Sequence, residues 1–363
     1  MRACIVGGGL AGAMLAWRLA SPAWRLELVP GRKSTVDATA ASGGAVRAFD
    51  PDPELCRLAT ASTAELLGSR TLLRWADFRR SDTFYLPQRT EAVDEAVAGI
   101  EAALPGSVRL TDGADLIRRG WADLHAGCVA VHEHQAGYVS PAGLRDALLA
   151  DTGRRMSVVD GEVTAVTLRG SDSVVCSIEG EDREYDLVVV AAGSWTPALL
   201  RSWHLPADGY RVQSIQYGLY LTGRWRPPTF IDEVISLFGR PAPGGSLLLG
   251  RPTGQWGVDP DRPPTTPSLH AGAARLVSAR FPRLRIGPAW KVVGSADCYG
   301  ETPTLALRRV VESGHRLFTF TGGAGGAAKT ALAATRHAAE RILSGAWPDG
   351  QPTPQEAEKV NHE

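Results

Sequence analysis

Three stretches of this chain have residue types and spacings that can do chemistry. The first is Gly7-x-Gly9-x-x-Gly12. Gly7 permits a tight turn, Gly9 lets backbone lie against a pyrophosphate that any Cβ would strike, and Gly12 lets a helix pack close to a strand. The helix that follows offers free N–H groups and the positive end of its dipole to phosphates. The second is Gly322-Gly323-Ala324-Gly325-Gly326-Ala327-Ala328-Lys329. Its lysine is one of four (Lys33, Lys291, Lys329, Lys359) among 39 basic residues, and the rest are arginine. A lysine kept inside a glycine-rich loop of such a chain points to a need for the compact ammonium. The third is the small-residue loop Ala38 to Arg47, with Ser42-Gly43-Gly44 inside it. Other candidates are weaker. His132-x-His134 puts two imidazoles on an extended segment with no third ligand nearby in sequence, so no metal is expected. His204, His270 and His315 stand alone, and no G-x-S-x-G supports a hydrolase.

These residues need elements to position them. Arg2 to Val6 reads as a strand, Ala13 to Ala20 as a helix and Arg25 to Val29 as a second strand, a βαβ start with the glycines in its turn. Tyr185 to Gly193 is a continuous apolar run closed by glycine, the profile of a buried parallel strand. Leu317 to Thr321 is another, with a helix after the second glycine loop to about Leu343. Pro53 to Leu67 and Glu91 to Leu104 read as amphipathic helices. Ser140 and Pro141 read as the N-cap and first position of a further helix after Gly137-Tyr138-Val139. Met156 to Val159, Glu162 to Leu168 and Ser173 to Ile178 read as short antiparallel strands. Arg211 to Thr222, Leu247 to Arg251 and Trp290 to Ala296 read as strands of a second sheet, and proline-rich Asp259 to Pro267 as a loop.

The expected architecture is α/β plus α+β: a Rossmann-type domain (1–50, 138–205 and 295–345) interleaved with an antiparallel-sheet substrate domain (51–137 and 206–294), then a disordered tail at 346–363. Length agrees with two cores. Lys+Arg and Asp+Glu are 39 each, and a formal net charge of +0 argues against a nucleic-acid-binding face. No apolar run reaches a membrane span. Cys4, Cys56, Cys128, Cys176 and Cys298 are scattered without C-x-x-C, as expected of reduced thiols in the cytoplasm.

With these residues in view, the chain resembles the glycine-oxidase, D-amino-acid-oxidase and sarcosine-oxidase group of FAD-dependent amine oxidoreductases over nearly its whole length. The carriers are the first glycine motif, Ser42-Gly43-Gly44-x-x-Arg47, Gly137-Tyr138-x-x-Pro141, Val188 to Trp195, Cys298-Tyr299-x-x-Thr302-Pro303 and the Lys329 loop. The resemblance implies bound FAD and oxidation of an amino acid or related amine by hydride transfer to flavin N5. It implies cofactor contacts at Gly7, Gly9, Leu10, Ala11, Gly12, Ser42, Gly43, Gly44, Val163, Ala192, Gly193, Trp195, Cys298, Gly323, Gly325, Gly326, Ala327 and Lys329. It also implies that Arg47 and Lys329 meet a substrate carboxylate, with Arg47 alternatively on the flavin face.

Three features depart from the group. The acid that takes the adenosine ribose falls on Pro30, so that either Glu27 or a neighbour such as Arg32 substitutes or the anchor is absent. Cys298 is displaced by one residue from the place of covalent flavin attachment, so FAD is expected to be non-covalent. No lysine stands near Gly254-Gln255-Trp256-Gly257, where oxidases often carry one, which leaves the electron acceptor open. A flavin-dependent monooxygenase or dehydrogenase of a biosynthetic intermediate, or a flavin-binding partner subunit without turnover, stand as alternatives. The absence of a G-D-A-type segment before the last helix weighs against a hydroxylase. The amine's identity and the oligomeric state are not encoded in any readable pattern.

Overall fold

The computed structural model describes residues 1–22, 24–31, 37–153, 155–170, 172–323 and 327–346. Arg32, Gly325, Gly326 and the tail beyond 346 lie outside them.

A six-stranded sheet holds the first glycine turn. Its order is Ala306–Arg309, Leu317–Thr321, Leu187–Val190, Arg2–Val6, Arg25–Val29, Ser157–Val158. All neighbours are parallel except the Ala306–Arg309 edge. The apolar run at 187–190 is central and buried, as its composition requires. The strand at 157–158 pairs parallel with Arg25–Val29, which corrects the antiparallel reading of Met156 to Val159. Three antiparallel strands, Val163–Arg169, Ser173–Ile178 and Glu181–Tyr185, form a separate small sheet.

The second large sheet has eight strands: Ile286–Gly300, Tyr210–Thr222, Ser246–Gly250, Leu237–Ala242, Thr229–Asp232, Thr83–Leu86, Val129–Glu133 and Val108–Asp112. It is antiparallel except where Thr83–Leu86 runs parallel to Thr229–Asp232. The helix Pro267–Arg280 packs on it through Ala273 and Val277, in a core with Trp121, Phe230 and Phe281. Arg280 Nε meets Asp232 Oδ2 at 2.8 Å inside that core.

The helices Pro53–Leu67 and Pro141–Thr152 start where their caps predict. Asp52 Oδ1 accepts from Leu55 N, and Ser140 Oγ from Gly143 N.

Candidate active site

The glycine turn is built by close approach. Gly7 has φ 116°, and a Cβ on it would lie 2.5 Å from the Ala191 carbonyl oxygen. A Cβ on Gly12 would lie 2.0 Å from the Gly7 carbonyl oxygen. These two glycines are demanded by the protein's own backbone. Gly9 differs, because its hypothetical Cβ meets only Thr39 Oγ1, at 3.4 Å. Among the described residues no backbone requires it to be glycine, which fits a ligand placed against it. Gly9 is the N-cap of the helix Leu10–Leu19 and makes no side-chain cap bond. Leu10 N donates to Thr39 Oγ1 at 3.0 Å. Leu10 and Ala11 line a cavity of about 1200 Å³. That exceeds the ~300–1,000 Å³ of ordinary small-molecule pockets and suits a dinucleotide with a substrate beside it.

Most of the residues read from sequence border this cavity. Gly7, Gly9, Leu10, Ala11, Ser42, Gly43, Gly44, Arg47, Val163, Ala192, Gly193, Trp195, Ala327 and Lys329 all line it. Gly12 and Gly323 do not. Gly12 serves the strand–helix contact, and Gly323 (φ 124°) serves the turn after Leu317–Thr321, with Gly322 on the wall instead. Cys298 is also off the wall. It is buried, and burial first of all pushes its thiol up to about 12. Its neighbours Asp297 and Tyr299 line the cavity, so strand alternation turns Cys298 to the other face. Cys298 thus lies apart from the cavity-lining residues expected to contact the cofactor.

Glu27 cannot take the place of the ribose acid. Its carboxylate is buried and holds Arg2 Nη2 at 2.9 Å, Tyr185 Oη at 2.8 Å and Arg183 Nη1 at 3.3 Å, off the cavity wall. Burial would raise its pKa, but hydrogen bonds from Tyr185 and Arg2 outweigh this and hold it low. Pro30 and Gly31 do border the cavity, and so does Asp37, whose Oδ1 caps Ala40 N at 2.9 Å.

Arg47 and Lys329 come together, but on a residue that sequence reading missed. Lys329 Nζ is 2.8 Å and Arg47 Nη2 is 3.1 Å from the same oxygen, Asp50 Oδ2. Asp50 Oδ1 accepts from Asp52 N at 3.2 Å. The two cations border the cavity and Asp50 does not. An internal carboxylate thus already bridges the two cations, and the cluster carries one net positive charge. Arg47 Nη1 is buried with no hydrogen-bond partner among the described residues. The guanidinium lies 4.7 Å over the Tyr85 ring. Burial, then Arg47, pull the Lys329 pKa down to about 8 against the pull of Asp50. Burial would raise the Asp50 carboxyl, but Lys329 and Arg47 together keep it below its ordinary value. The loop that carries Asp50 is fixed by buried Glu133, which accepts from Ala48 N at 2.6 Å and Phe49 N at 3.1 Å.

The eight-stranded sheet supplies the opposite wall, with Tyr217, Ile231, Phe238, Arg240 and Leu248. Trp195 Nε1 donates to Asp261 Oδ1 at 2.9 Å, which ties the proline-rich loop to the 3₁₀ turn Gly193–Trp195.

The histidine pair lies outside this site. Asp82 joins His132 and His134 as a third potential ligand, which the sequence reading did not foresee. His132 Nε2 is 3.0 Å from Asp82 Oδ2, while Arg109 Nε faces Nδ1 at 3.4 Å. A metal on Nε2 would leave an N–H on Nδ1 facing that donor, the reverse of the acceptor a ligating imidazole needs.

The family model described as FAD dependent oxidoreductase matches residues 2–341, and the chain belongs to that family. It is an FAD-dependent oxidoreductase, and the open face of Gly9, the helix N-terminus that begins there and the size of the cavity fit that cofactor. Among solved structures, glycine oxidase from Geobacillus kaustophilus is similar at TM-score 0.74 and 18% identity, covering 97% of each chain. L-proline dehydrogenase from P. horikoshii gives 0.74 at 16%, covering 95% of this chain and 93% of that one. L-α-glycerophosphate oxidase from Mycoplasma pneumoniae, with FAD bound, gives 0.77 at 15%, covering 98% and 97%. These likenesses show the fold. A curated relative, the tRNA 5-methylaminomethyl-2-thiouridine biosynthesis bifunctional protein MnmC of Burkholderia pseudomallei, is 29% identical over 229 residues, 58% of this chain and 34% of that protein. The matched part is thus about a third of the relative's length. No helix among the described residues is long and apolar enough to cross a membrane.

Proposed function

We propose that this flavoprotein oxidises a small amine or amino acid at the carbon bearing nitrogen. The observation that carries the reading is one cavity with a phosphate-type glycine turn at one side and the positively charged Arg47–Asp50–Lys329 cluster on its wall. The neighbours named as glycine oxidase and proline dehydrogenase support it through their fold.

Bound FAD supplies the hydride acceptor. Gly7 to Ala11 hold the pyrophosphate side, and Ser42 to Gly44, Val163, Ala192, Gly193, Trp195, Gly322 and Ala327 enclose the rest. Cys298 forms no bond to the cofactor. The substrate loses a hydride from carbon and a proton from nitrogen, and the resulting imine takes up water to give a carbonyl compound and an amine. Arg47 and Lys329 keep one positive charge at the reaction end, and Asp50 fixes both against it. Lys329 Nζ, with its pKa held down to about 8, takes up or releases a proton near neutrality. Segments 1–50, 138–205 and 295–345 make the cofactor-binding part, and 51–137 with 206–294 the substrate part.

The test is turnover with an artificial electron acceptor across D-, L- and N-methyl amino acids, with detection of the carbonyl product. Acceptor reduction with stoichiometric carbonyl supports the reading. Reduction by hydroxy acids alone, or by no compound in the panel, overturns it.

A further inference from the structure

The segment from Ser42 to Asp50 carries two parts of the site: the loop glycines that border the cavity and the Arg47–Asp50 pair of the charged cluster. In its middle, Ala45–Val46 pairs with Gly137–Tyr138, and a Cβ on Gly44 (φ 63°) would fall 2.2 Å from the Val139 carbonyl oxygen. At the far end, the Glu133 carboxylate takes the Ala48 and Phe49 N–H groups. The near end, at Gly43, is held from the eight-stranded sheet.

The residue that holds it is Arg240, in the strand Leu237–Ala242 and directly across from Leu248. Opposed residues share a face, and this face meets the loop. A Cβ on Gly43 would lie 3.7 Å from Leu248 Cδ1, and Arg240 Nε donates to the Gly43 carbonyl at 2.5 Å. Nη1 donates to the Pro241 carbonyl at 2.8 Å, and the guanidinium lies 4.4 Å over the Tyr138 ring. Tyr138 is the residue whose backbone pairs with Ala45. One side chain therefore grips the loop at Gly43 and lies against the strand paired with it. The stacking and the two carbonyl bonds fix the plane of the guanidinium, which the round ammonium of a lysine would not reproduce. A bond from an ionised donor is also stronger than one between neutral groups. Between the holds at Gly43 and Ala48, the backbone that presents Arg47 is fixed by a two-residue strand, so the placement of Arg47 depends on both ends.

We propose that Arg240 is a positioning residue for the oxidation. Through the Gly43 carbonyl and the Tyr138 ring it fixes the segment that presents Arg47 to the cavity, and so sets where the positive charge stands. This rests on the amine reading above, in which the Arg47–Asp50–Lys329 cluster faces the reaction end.

The experiment is a double-mutant cycle on the protein at saturating FAD. It is titrated with propionate as an anionic probe and propionamide as an uncharged one, reading the flavin absorption shift. Arg47→Met is expected to weaken propionate by about ten- to a hundred-fold. Arg240→Met alone is expected to weaken it by about ten-fold and to leave propionamide unchanged. Added to Arg47→Met, it should cost less than about two-fold more, because a residue that acts through Arg47 then has nothing left to position. Arg240→Lys should recover part of the loss, since it keeps a donor for the Gly43 carbonyl without the planar stacking. The same loss in the Arg47→Met background as in wild type would make Arg240 an independent contact with the anion and overturn the proposal. Wild-type propionate binding in Arg240→Met, even with a lowered melting temperature, overturns it too. So does propionate binding that is indifferent to Arg47→Met. If the cycle behaves as expected yet no amine is oxidised, the amine reading fails and the positioning of Arg47 stands. If amines are oxidised and Arg240→Met is silent, only the positioning role fails.

Discussion

The two walls of the cavity were shaped under different constraints. On the glycine wall, backbone touches backbone: a Cβ on Gly7 or Gly12 would fall 2.5 or 2.0 Å from a carbonyl oxygen. Elsewhere in the site the determinants are side chains that join distant segments, such as Arg240 on the sheet wall with the Gly43 carbonyl, 197 residues away, and Lys329 with Asp50, 279 residues away. Backbone constraints leave a local signature in sequence. Side-chain constraints that join remote segments leave almost none. Gly7 and Gly12 tolerate no side chain, whereas the sheet wall can be retuned one residue at a time.

Gly12→Val is expected to give the largest effect: no soluble, folded protein, because the obstructing atom is backbone and cannot swing aside. Gly9→Val separates the cofactor from the fold. Its circular dichroism should match wild type while FAD is lost on gel filtration; retained FAD would show that the open face of Gly9 is not the pyrophosphate seat. Behind the cavity wall, Asp50→Ala strands two buried cations and is expected to lower stability in urea by about 3–5 kcal/mol. It should strengthen propionate binding, since the cluster gains one net charge. A loss of less than about 1 kcal/mol would mean that the bridge is dispensable.

A smaller effect follows from Lys329. Its folded pKa is about 8, against ~10.4 for an unperturbed lysine. Between those values the unfolded chain holds a proton that the folded chain does not, so stability rises with pH across that window. The contribution is complete above the unfolded pKa, disappears as pH falls through about 8, and amounts to at most about 3 kcal/mol. The difference in unfolding free energy between wild type and Lys329→Met, measured from pH 7 to 10, should change in that direction; a flat difference would contradict the depressed pKa. The smallest expected effect is none: acid precipitation should release the flavin from wild type and Cys298→Ala alike. Colour kept in the wild-type pellet would return Cys298 to the cofactor.

The same division explains what could be read beforehand. The βαβ start and the strand Leu187–Val190 were legible because an apolar run closed by glycine has few other meanings. The helix Pro53–Leu67 was legible from its periodicity. The helix Pro267–Arg280 was not, because Ser, His, Gly and Arg dilute its apolar face and only Gly272, Ala273, Val277 and Arg280 are buried. The strands Thr83–Leu86 and Thr229–Asp232 pair in parallel across the chain, and that partnership is invisible locally. The side of the sheet that Cys298 faces was not legible, because in a strand one residue is the difference between two faces. Asp50 sits three residues past Arg47, before a proline, and no pattern marked it out. Its meaning appears only when Lys329 arrives from the far end of the chain. Arg240 was one arginine among many, distinguished by the loop carbonyl it holds.

The central claim is that one cavity seats FAD against the glycine turn and an amine or amino acid toward the Arg47–Asp50–Lys329 cluster. Anaerobic stopped-flow mixing of the FAD-loaded wild-type protein with D-, L- and N-methyl amino acids, each paired with its decarboxylated amine, tests it most directly. The account predicts that at least one amino acid bleaches the bound flavin, and that its decarboxylated partner does so far more slowly at equal concentration. Bleaching by the uncharged-chain amines at the same rate, or no bleaching by any amine while dithionite still reduces the flavin, would contradict it.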